Sequence, residues 1–259
     1  MTANPSGRKA IDFEQDGDIA VITINRPRRR NAIDAETALE LDRCFMRFEH
    51  DEALDVAVLT GAGDTFCSGA DLAAVSEDED IEARLNMLET GPMGPTRRVL
   101  SKPVIAAIEG HAVAGGLELA CWCDLRVAAR GAIFGVFCRR VGVPLVDGGT
   151  VRLPRLIGQS RAMDLILTGR DVSATEAREI GLVNRLVDDG EALEAALSLA
   201  RKMAGFPRQC LRGDRLSALQ QWSLDEAAAM DNELAHGRAT IRSGEPQDGA
   251  RDFVARRKS

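Results

Sequence analysis

One glycine-containing segment, FCSGADL at residues 66–72, has residue types that suit close approach to a ligand. It follows an apolar run, VAVLTG, that is typical of a buried strand. Gly69 and Ala70 let the backbone come near a bound molecule, and Asp71 is placed to cap a helix that follows. By itself the segment also fits an ordinary turn between a strand and a helix.

Glu118 lies in a second such segment, GHAVAGGLELA at residues 110–120. Two glycines come just before a predicted helix, whose first N–H groups and dipole suit an oxyanion that forms during a reaction. Glu118 follows Gly115 by one helical turn and so lies on the same face. Two roles remain open for Glu118: an acid/base catalyst, or a carboxylate that only complements the helix dipole.

Asp147 is the acidic residue of a third stretch, residues 134–158, which is rich in glycine and leads into a helix. It could belong to a site, or the stretch could be a packing loop in which Asp147 caps the helix that begins near Gly148. We expect the capping role.

Composition excludes several classes of function. The chain has 259 residues, 45% hydrophobic and 28% charged, which is typical of a globular protein. A net charge of -7 and an aromatic content of 4% without tyrosine argue against nucleic acid as a partner. The six cysteines and three histidines lack the spacing of a zinc site, so no metal is expected.

The chain contains no apolar run near the roughly 20 residues of a membrane span, and its opening residues are polar. We therefore expect no membrane partner and a cytoplasmic location, with the cysteines as mostly buried, reduced thiols.

Hydrophobic patterns predict an α/β fold with mostly parallel strands and a chiefly helical end. A polar helical stretch is expected between Asp71 and about residue 100. Ser173 and Ser223 each open a Ser-x-x-Glu capping box and predict helix starts. The other predicted helices lie at 34–49 and from 117. Residues 10–24 are predicted to form the two strands of a hairpin, and further strands are predicted at 56–61, 102–110 and 124–129.

Seven pieces of the chain, in order and spacing, resemble the enoyl-CoA hydratase/isomerase (crotonase) family: NRPRRRNAI, FCSGADL, AGGLELA, FGVFCRRVGVP, DGGTVRLPRLIG, RAMDLILTG and SATEAREIGLVNRLV. The resemblance implies a spiral of ββα units over residues 1–195 and a helical region over 196–259 that forms trimers. It implies an acyl-CoA thioester as substrate, no cofactor beyond that coenzyme A, and a homotrimer or a dimer of trimers.

The same resemblance assigns roles to particular residues. The backbone N–H groups of Ser68 and Gly115 would hold the thioester carbonyl as an oxyanion hole, with Glu118 and Asp147 as catalytic carboxylates. Phe253 would flank the adenine of coenzyme A, and Arg256 would meet a phosphate. The implied substrate-binding residues are Arg28, Arg30, Ser68, Gly69, Ala70, Asp71, Leu72, Gly115, Cys138, Phe253 and Arg256.

One position departs from the family pattern. Hydratases of this family place two glutamates around the attacking water, and this chain has Glu118 at one position but Cys138 at the other. A neutral thiol is a poor substitute for a carboxylic acid, so slow hydration of a simple enoyl-CoA is expected. Asp147 is a possible replacement, although related enzymes place an aspartate at the position of Val146. Isomerisation, decarboxylation and acyl-CoA binding without turnover remain alternatives.

Overall fold

The computed structural model describes residues 9–77 and 90–256, which form two sheets with helices packed around them. The larger sheet has the strand order β1-β2-β3-β4-β6-β9. Its first pair is an antiparallel hairpin, and the remaining neighbours are parallel. Its strands are β1 (Ile11–Asp16), β2 (Ile19–Ile24), β3 (Val56–Gly61), β4 (Val104–Ile108), β6 (Leu125–Ala129) and β9 (Arg185–Val187).

A smaller sheet of three strands, in the order β5-β7-β8, lies beyond the ends of the large one. It consists of β5 (His111–Val113), β7 (Ile133–Gly135) and β8 (Val172–Ser173). Because β5 follows β4 directly and β7 follows β6, each chain segment leaves the large sheet, enters the small one and then turns. This arrangement places the segments after β3 and β4 side by side.

The helices follow from apolar residues at three- and four-residue steps, as in the first, where Leu41, Phe45 and Phe48 are fully buried. They are α1 (Ala35–His50), α2 (Leu72–Ser76), α3 (Gly115–Trp122), α4 (Gly149–Ile157), α5 (Gln159–Thr168), α6 (Ala174–Glu179), α7 (Ala192–Ala204), α8 (Arg208–Gln220), α9 (Glu226–Ser243) and α10 (Glu245–Arg256). In the described part of the chain, no helix is both long and apolar enough to cross a bilayer.

The core has two parts, one on each face of the large sheet. The larger part packs α1 and α3 against the sheet, and four of the six cysteines are buried. The smaller part packs Ala196, Leu199 and Ala200 of α7 against the opposite face. The helix α7 crosses the predicted boundary at residue 195 and packs on the sheet. The boundary itself stays a prediction.

Two sequence-based predictions of local structure were wrong. Residues 90–100 form turns with a short 3-10 helix at Pro95–Arg97, since the glycines and prolines there interrupt a helix. The first part of the predicted stretch is helical as α2, and residues 78–89 lie outside the described residues. The helix expected at Ser223 begins at Glu226, because Asp225 accepts from the Ala228 N–H and Ser223 continues the preceding helix as a 3-10 turn. The predicted cap at Ser173 is confirmed, since its side chain accepts from the Glu176 N–H.

Candidate active site

The segment after β3 is extended and pairs on both sides with other parts of the chain. The Cys67 N–H donates to the His111 carbonyl at 2.9 Å, next to β5. On the other side, the Asp71 N–H donates to the Ile33 carbonyl at 2.8 Å, and the Gly69 carbonyl accepts from the Ile33 N–H at 2.8 Å. The segment therefore joins the turn before α1 to the turn that leads into α3.

Ser68 does not supply a free N–H to this region. Its N–H donates to the Arg30 carbonyl at 3.1 Å. Since this donor is already used within the protein, the prediction that Ser68 forms half of an oxyanion hole needs correction.

Within residues 9–77 and 90–256, Ala70 and Gly115 each present an unused N–H at the place where the two segments meet. In the parallel bridge between Ala70 and Ile33, the groups used are those of Gly69 and Asp71, so the Ala70 N–H points to the other side. Among the described residues, none accepts a hydrogen bond from either N–H. Both residues are half-buried, so these N–H groups remain open to a ligand.

Gly69 brings these two residues together. It has a φ of +98°, which favours glycine, and a Cβ at this position would lie 2.9 Å from the Gly115 nitrogen. Gly69 thus permits a contact between the two segments that any side chain would prevent.

Asn31 holds the neighbouring turn in place. Its buried amide donates to the carbonyl groups of Ala62 at 2.9 Å and Thr65 at 2.5 Å, and its side-chain oxygen accepts from the Arg26 N–H at 2.9 Å. Asn31 itself has a φ of +55°, a conformation that asparagine tolerates better than most residues. Our sequence reasoning did not single out Asn31, although it lies within the NRPRRRNAI piece.

Asp71 caps α2, as predicted, by accepting from the Ala73 N–H at 3.2 Å. Its carboxylate also pairs with Arg26 at 3.1 Å. Leu72, the first residue of α2, is largely exposed beside it. These residues therefore continue the same edge of the site beyond Ala70.

Glu118 lies one turn into α3 and is buried, with 2% of its surface exposed. One carboxylate oxygen, Oε1, accepts from the N–H groups of Asp147 at 2.9 Å and Gly149 at 2.8 Å. Burial, followed by the nearby Asp147 charge, raises the pKa of Glu118 to about 7. A carboxyl with this pKa can give or take a proton near neutral pH.

Asp147 is also buried, but it does not cap α4 as the sequence predicted. The N-cap residue is Gly148, without a side-chain cap. The Asp147 carboxylate instead accepts from the Met93 N–H at 2.9 Å and from the Thr96 hydroxyl. The capping role was expected because Asp147 is next to the start of α4 in the sequence. The Met93 N–H and the Thr96 hydroxyl bind its carboxylate instead.

Met93, Thr96 and Arg152 are site residues that sequence reasoning missed. A Cβ on Gly115 would lie 2.6 Å from the Met93 sulfur, so this side chain packs directly on the start of α3. Arg152 donates to the carbonyl groups of Asp147 at 2.9 Å and Thr96 at 2.6 Å. The sequence around Met93 carries only turn signals. Its role depends on contacts with Gly115 and Asp147, which are distant in the sequence.

Cys138 lies in a 3-10 helix, Phe137–Val141, that follows β7. It is buried, and burial raises the pKa of its thiol, with a further contribution from the negative charge of Glu118. The thiol is therefore neutral near pH 7, and it lies close enough to Glu118 for the carboxylate charge to disfavour its ionisation.

The residues expected to hold coenzyme A lie in two places. Arg28 and Arg30 are exposed on the turn whose Arg30 carbonyl accepts from Ser68, hence beside the candidate hole. Phe253 and Arg256 lie on α10, whose Glu245 accepts from Gln209 and Cys210 at the start of α8. Side chains of α8 bond to Asp55 and Asp124, which directly precede β3 and β6. The helix α8 is therefore attached at the end of the sheet where these strands begin. Ala70 and Gly115 lie at the opposite end, after β3 and β4.

A family model described as "Enoyl-CoA hydratase/isomerase" matches residues 14–259. The chain belongs to the enoyl-CoA hydratase/isomerase family. It is 35% identical to the short-chain-enoyl-CoA hydratase of Clostridium acetobutylicum, over 96% of this chain and 95% of that protein. It is 34% identical to the crotonyl-CoA hydratase of Syntrophomonas wolfei, over 96% of each chain.

A crystal structure of an enoyl-CoA hydratase from Mycobacterium tuberculosis has the same fold, with a TM-score of 0.89 at 36% identity, covering 95% of this chain and 96% of that one. The crotonase fold expected from the sequence is thus confirmed. These comparisons support a hydratase-like activity on acyl-CoA thioesters. Within residues 9–77 and 90–256, no group of histidine, cysteine and acidic side chains could hold a metal ion.

Proposed function

We propose that this protein is an enoyl-CoA hydratase-like enzyme that holds a thioester enolate between the N–H groups of Ala70 and Gly115. The observation that carries the proposal is a pair of half-buried N–H groups without an acceptor in the described part of the chain, with the buried Glu118 one helical turn after Gly115. Two such donors polarise a thioester carbonyl, which makes the neighbouring C–H acidic and a conjugated double bond electrophilic. Each donor contributes roughly 3 kcal/mol to stabilising the oxyanion.

Glu118 is the acid/base group of this proposal. It lies one turn after Gly115, so its carboxyl is near the carbon atoms next to a bound carbonyl. Its raised pKa keeps both protonation states populated near neutral pH. Activity that needs the ionised form should increase with pH up to about 7.

Cys138 is the reason to expect slow hydration of a simple short enoyl-CoA. The family resemblance places a second glutamate at this position, where this chain has a buried neutral thiol. Loss of one general acid/base costs ~100- to 10,000-fold in rate. We propose that hydration is weak for this reason.

Isomerisation or another enolate reaction is the second candidate. Glu118 alone can remove a proton from one carbon and return it to another, which needs the oxyanion hole but not a second carboxyl beside water. A non-catalytic acyl-CoA binder would keep the hole and lose this proton transfer.

The nucleotide end of coenzyme A is proposed to lie on the exposed Arg28 and Arg30. Phe253 and Arg256 lie on a helix connected to the opposite end of the strands, so we propose that a neighbouring subunit of a trimer supplies them. A cytoplasmic location fits a reaction on soluble CoA esters.

A panel of CoA thioesters incubated with the protein and analysed by mass spectrometry tests the proposal. Gain of water indicates hydration, and an unchanged mass with shifted retention indicates isomerisation. Ala70→Pro, which deletes one donor, should abolish either product, while Ser68→Ala should have a small effect because that residue lies outside the hole. Tight binding of a CoA thioester without any product would contradict the proposal that this protein is an enzyme.

A further inference from the structure

We propose that Asp147 is a positioning residue that joins the acid/base group Glu118 to the turn packed on Gly115. This inference rests on the proposed function and deepens it. It assigns to Asp147 a role different from that of a second catalytic carboxylate, which its position near Glu118 also suggests.

The side chain of Asp147 binds the turn that contains Met93 and Thr96. Its Oδ1 accepts from the Met93 N–H at 2.9 Å and from the Thr96 hydroxyl. Met93 packs on Gly115, where the missing Cβ would lie 2.6 Å from its sulfur. The Asp147 carboxylate therefore fixes the turn that covers one of the two proposed oxyanion donors.

The main chain of Asp147 binds the carboxyl of Glu118. Its N–H donates to Glu118 Oε1 at 2.9 Å, and the Gly149 N–H donates to the same oxygen at 2.8 Å. Arg152 braces this connection, since it donates to the carbonyl groups of Asp147 at 2.9 Å and Thr96 at 2.6 Å. A single buried residue thus sets the relative position of the carboxyl and the hole.

A second catalytic acid/base is the competing role for Asp147. Its Oδ1 takes two hydrogen bonds from groups that belong to the protein, and both are lost or weakened if the carboxylate turns toward a substrate. If Asp147 only anchors the turn, its carboxylate stays in place and keeps the hydrogen bond from the Thr96 hydroxyl. This arrangement favours the positioning role.

The charge of Asp147 also reaches Glu118. Among the described residues, the titratable and charged groups whose interaction with Glu118 is resolved are Asp147, Cys138, Cys121 and Arg152. Both cysteines are neutral because burial raises their pKa values, so Asp147 is the acidic partner and Arg152 the basic one. Removing the Asp147 charge should lower the pKa of Glu118.

Four variants separate geometry from charge. Asp147→Asn keeps an oxygen that can accept from Met93 and Thr96 but removes the charge, whereas Asp147→Ala removes both. Thr96→Val removes the hydroxyl donor, and Thr96→Ser restores it. The kcat, KM and pH profile of each would be measured on the CoA ester that the native protein converts best.

We expect kcat to decrease ~100-fold in Asp147→Ala and Thr96→Val with little change in KM, because the reacting groups are misplaced. Thr96→Ser should recover most of the loss. Asp147→Asn should lose less than Asp147→Ala, and its acidic limb should move to lower pH. A loss of ~100- to 10,000-fold in Asp147→Asn with normal Thr96→Val would instead assign general acid/base catalysis to Asp147 and overturn the proposal.

A purely structural role predicts less folded protein, unchanged kcat per folded molecule and an unmoved acidic limb, and that outcome also overturns the proposal. If the native protein converts no CoA ester, the proposed function fails separately. Carbon-13 NMR titration of labelled glutamate, with Glu118→Gln to assign the signal, still tests the connection. The Glu118 pKa should then be lower in Asp147→Asn than in the native protein.

Discussion

The carboxyl of Glu118 is removed from water while two main-chain N–H groups donate to one of its oxygens. Burial opposes ionisation more strongly than the two hydrogen bonds favour it, so its pKa increases from 4.5 to about 7. The folded protein therefore binds this proton more tightly than the unfolded chain does. Stability contributed by the neutral carboxyl is present below pH 4.5 and is lost as pH rises to about 7.

We predict that Glu118→Gln removes this pH dependence. The native protein should lose on the order of 3 kcal/mol of its free energy of unfolding between pH 4.5 and 7 from this group, and the variant should lose correspondingly less. Urea unfolding at several pH values measures the difference. Parallel curves for the two proteins would show that Glu118 titrates normally.

Cys138→Glu is predicted to increase hydration of crotonyl-CoA. The substitution supplies a second carboxyl near Glu118, where the native thiol is buried and neutral. Adding Glu118→Gln to Cys138→Glu should remove the increase in hydration rate, since hydration needs both carboxyls. Rapid hydration by the native protein would contradict our explanation of the role of Cys138.

The choice between Ser68 and Ala70 illustrates what the sequence could and could not predict about the site. The FCSGADL segment and Glu118 were recognised from residue types and spacing. Which N–H is free depends on the partner of each backbone group, and Ser68 is excluded only by a hydrogen bond to Arg30. Such pairing depends on distant chain segments and cannot be read from a local motif.

Among the helices, the start of α4 depends on a glycine. A Cβ at Gly149 would lie 2.9 Å from both Cγ and Oε1 of Glu118. We predict that Gly149→Ala displaces Glu118 and lowers kcat by ~100-fold. Gly205→Ala, directly after α7, is the control, because a Cβ there lies 3.6 Å from the nearest atom, an ordinary contact; it should leave kcat unchanged and stabilise the protein by roughly 0.4–1 kcal/mol. Equal kcat in the two variants would refute the prediction.

Asn31 joins two loops that the strands alone do not hold together. It is fully buried, and its side chain makes three hydrogen bonds to main-chain groups. We predict that Asn31→Ala lowers the free energy of unfolding by at least about 1–3 kcal/mol, because buried polar groups lose their partners. Thermal or urea unfolding would measure this, and a change below 0.5 kcal/mol, roughly that of a surface substitution, would contradict it.

Element types were predictable where the hydrophobic pattern was strong. The β1–β2 hairpin, α1 and the buried strands β3, β4 and β6 follow from apolar runs and periodicity. The turns at 90–100 differ from the predicted helix because four glycine and proline positions outweigh the polar pattern there. The start of α9 differed from the prediction by the choice between Ser223 and Asp225, two residues that cap equally well.

For the whole molecule, the apolar surface of the last helices argues for self-association. Met230, Leu234 and Ile241 lie on one face of α9 and are each at least 50% exposed. We predict a trimer or a dimer of trimers, and Leu234→Asp should weaken it without unfolding the subunit. Glu233→Gln, beside this face, is the control. Sedimentation that finds a native monomer at micromolar concentration would contradict the prediction.

The two unused N–H groups also have a consequence for hydrogen exchange. An amide without a hydrogen bond at a half-buried position exchanges with solvent faster than amides in strands or helices. Ala70 and Gly115 should therefore exchange rapidly in the free protein, whereas the neighbouring Cys67 and Asp71, which are bonded, should be slow. A bound thioester would slow both fast amides together, so that two sites far apart in the sequence report occupancy of one oxyanion hole.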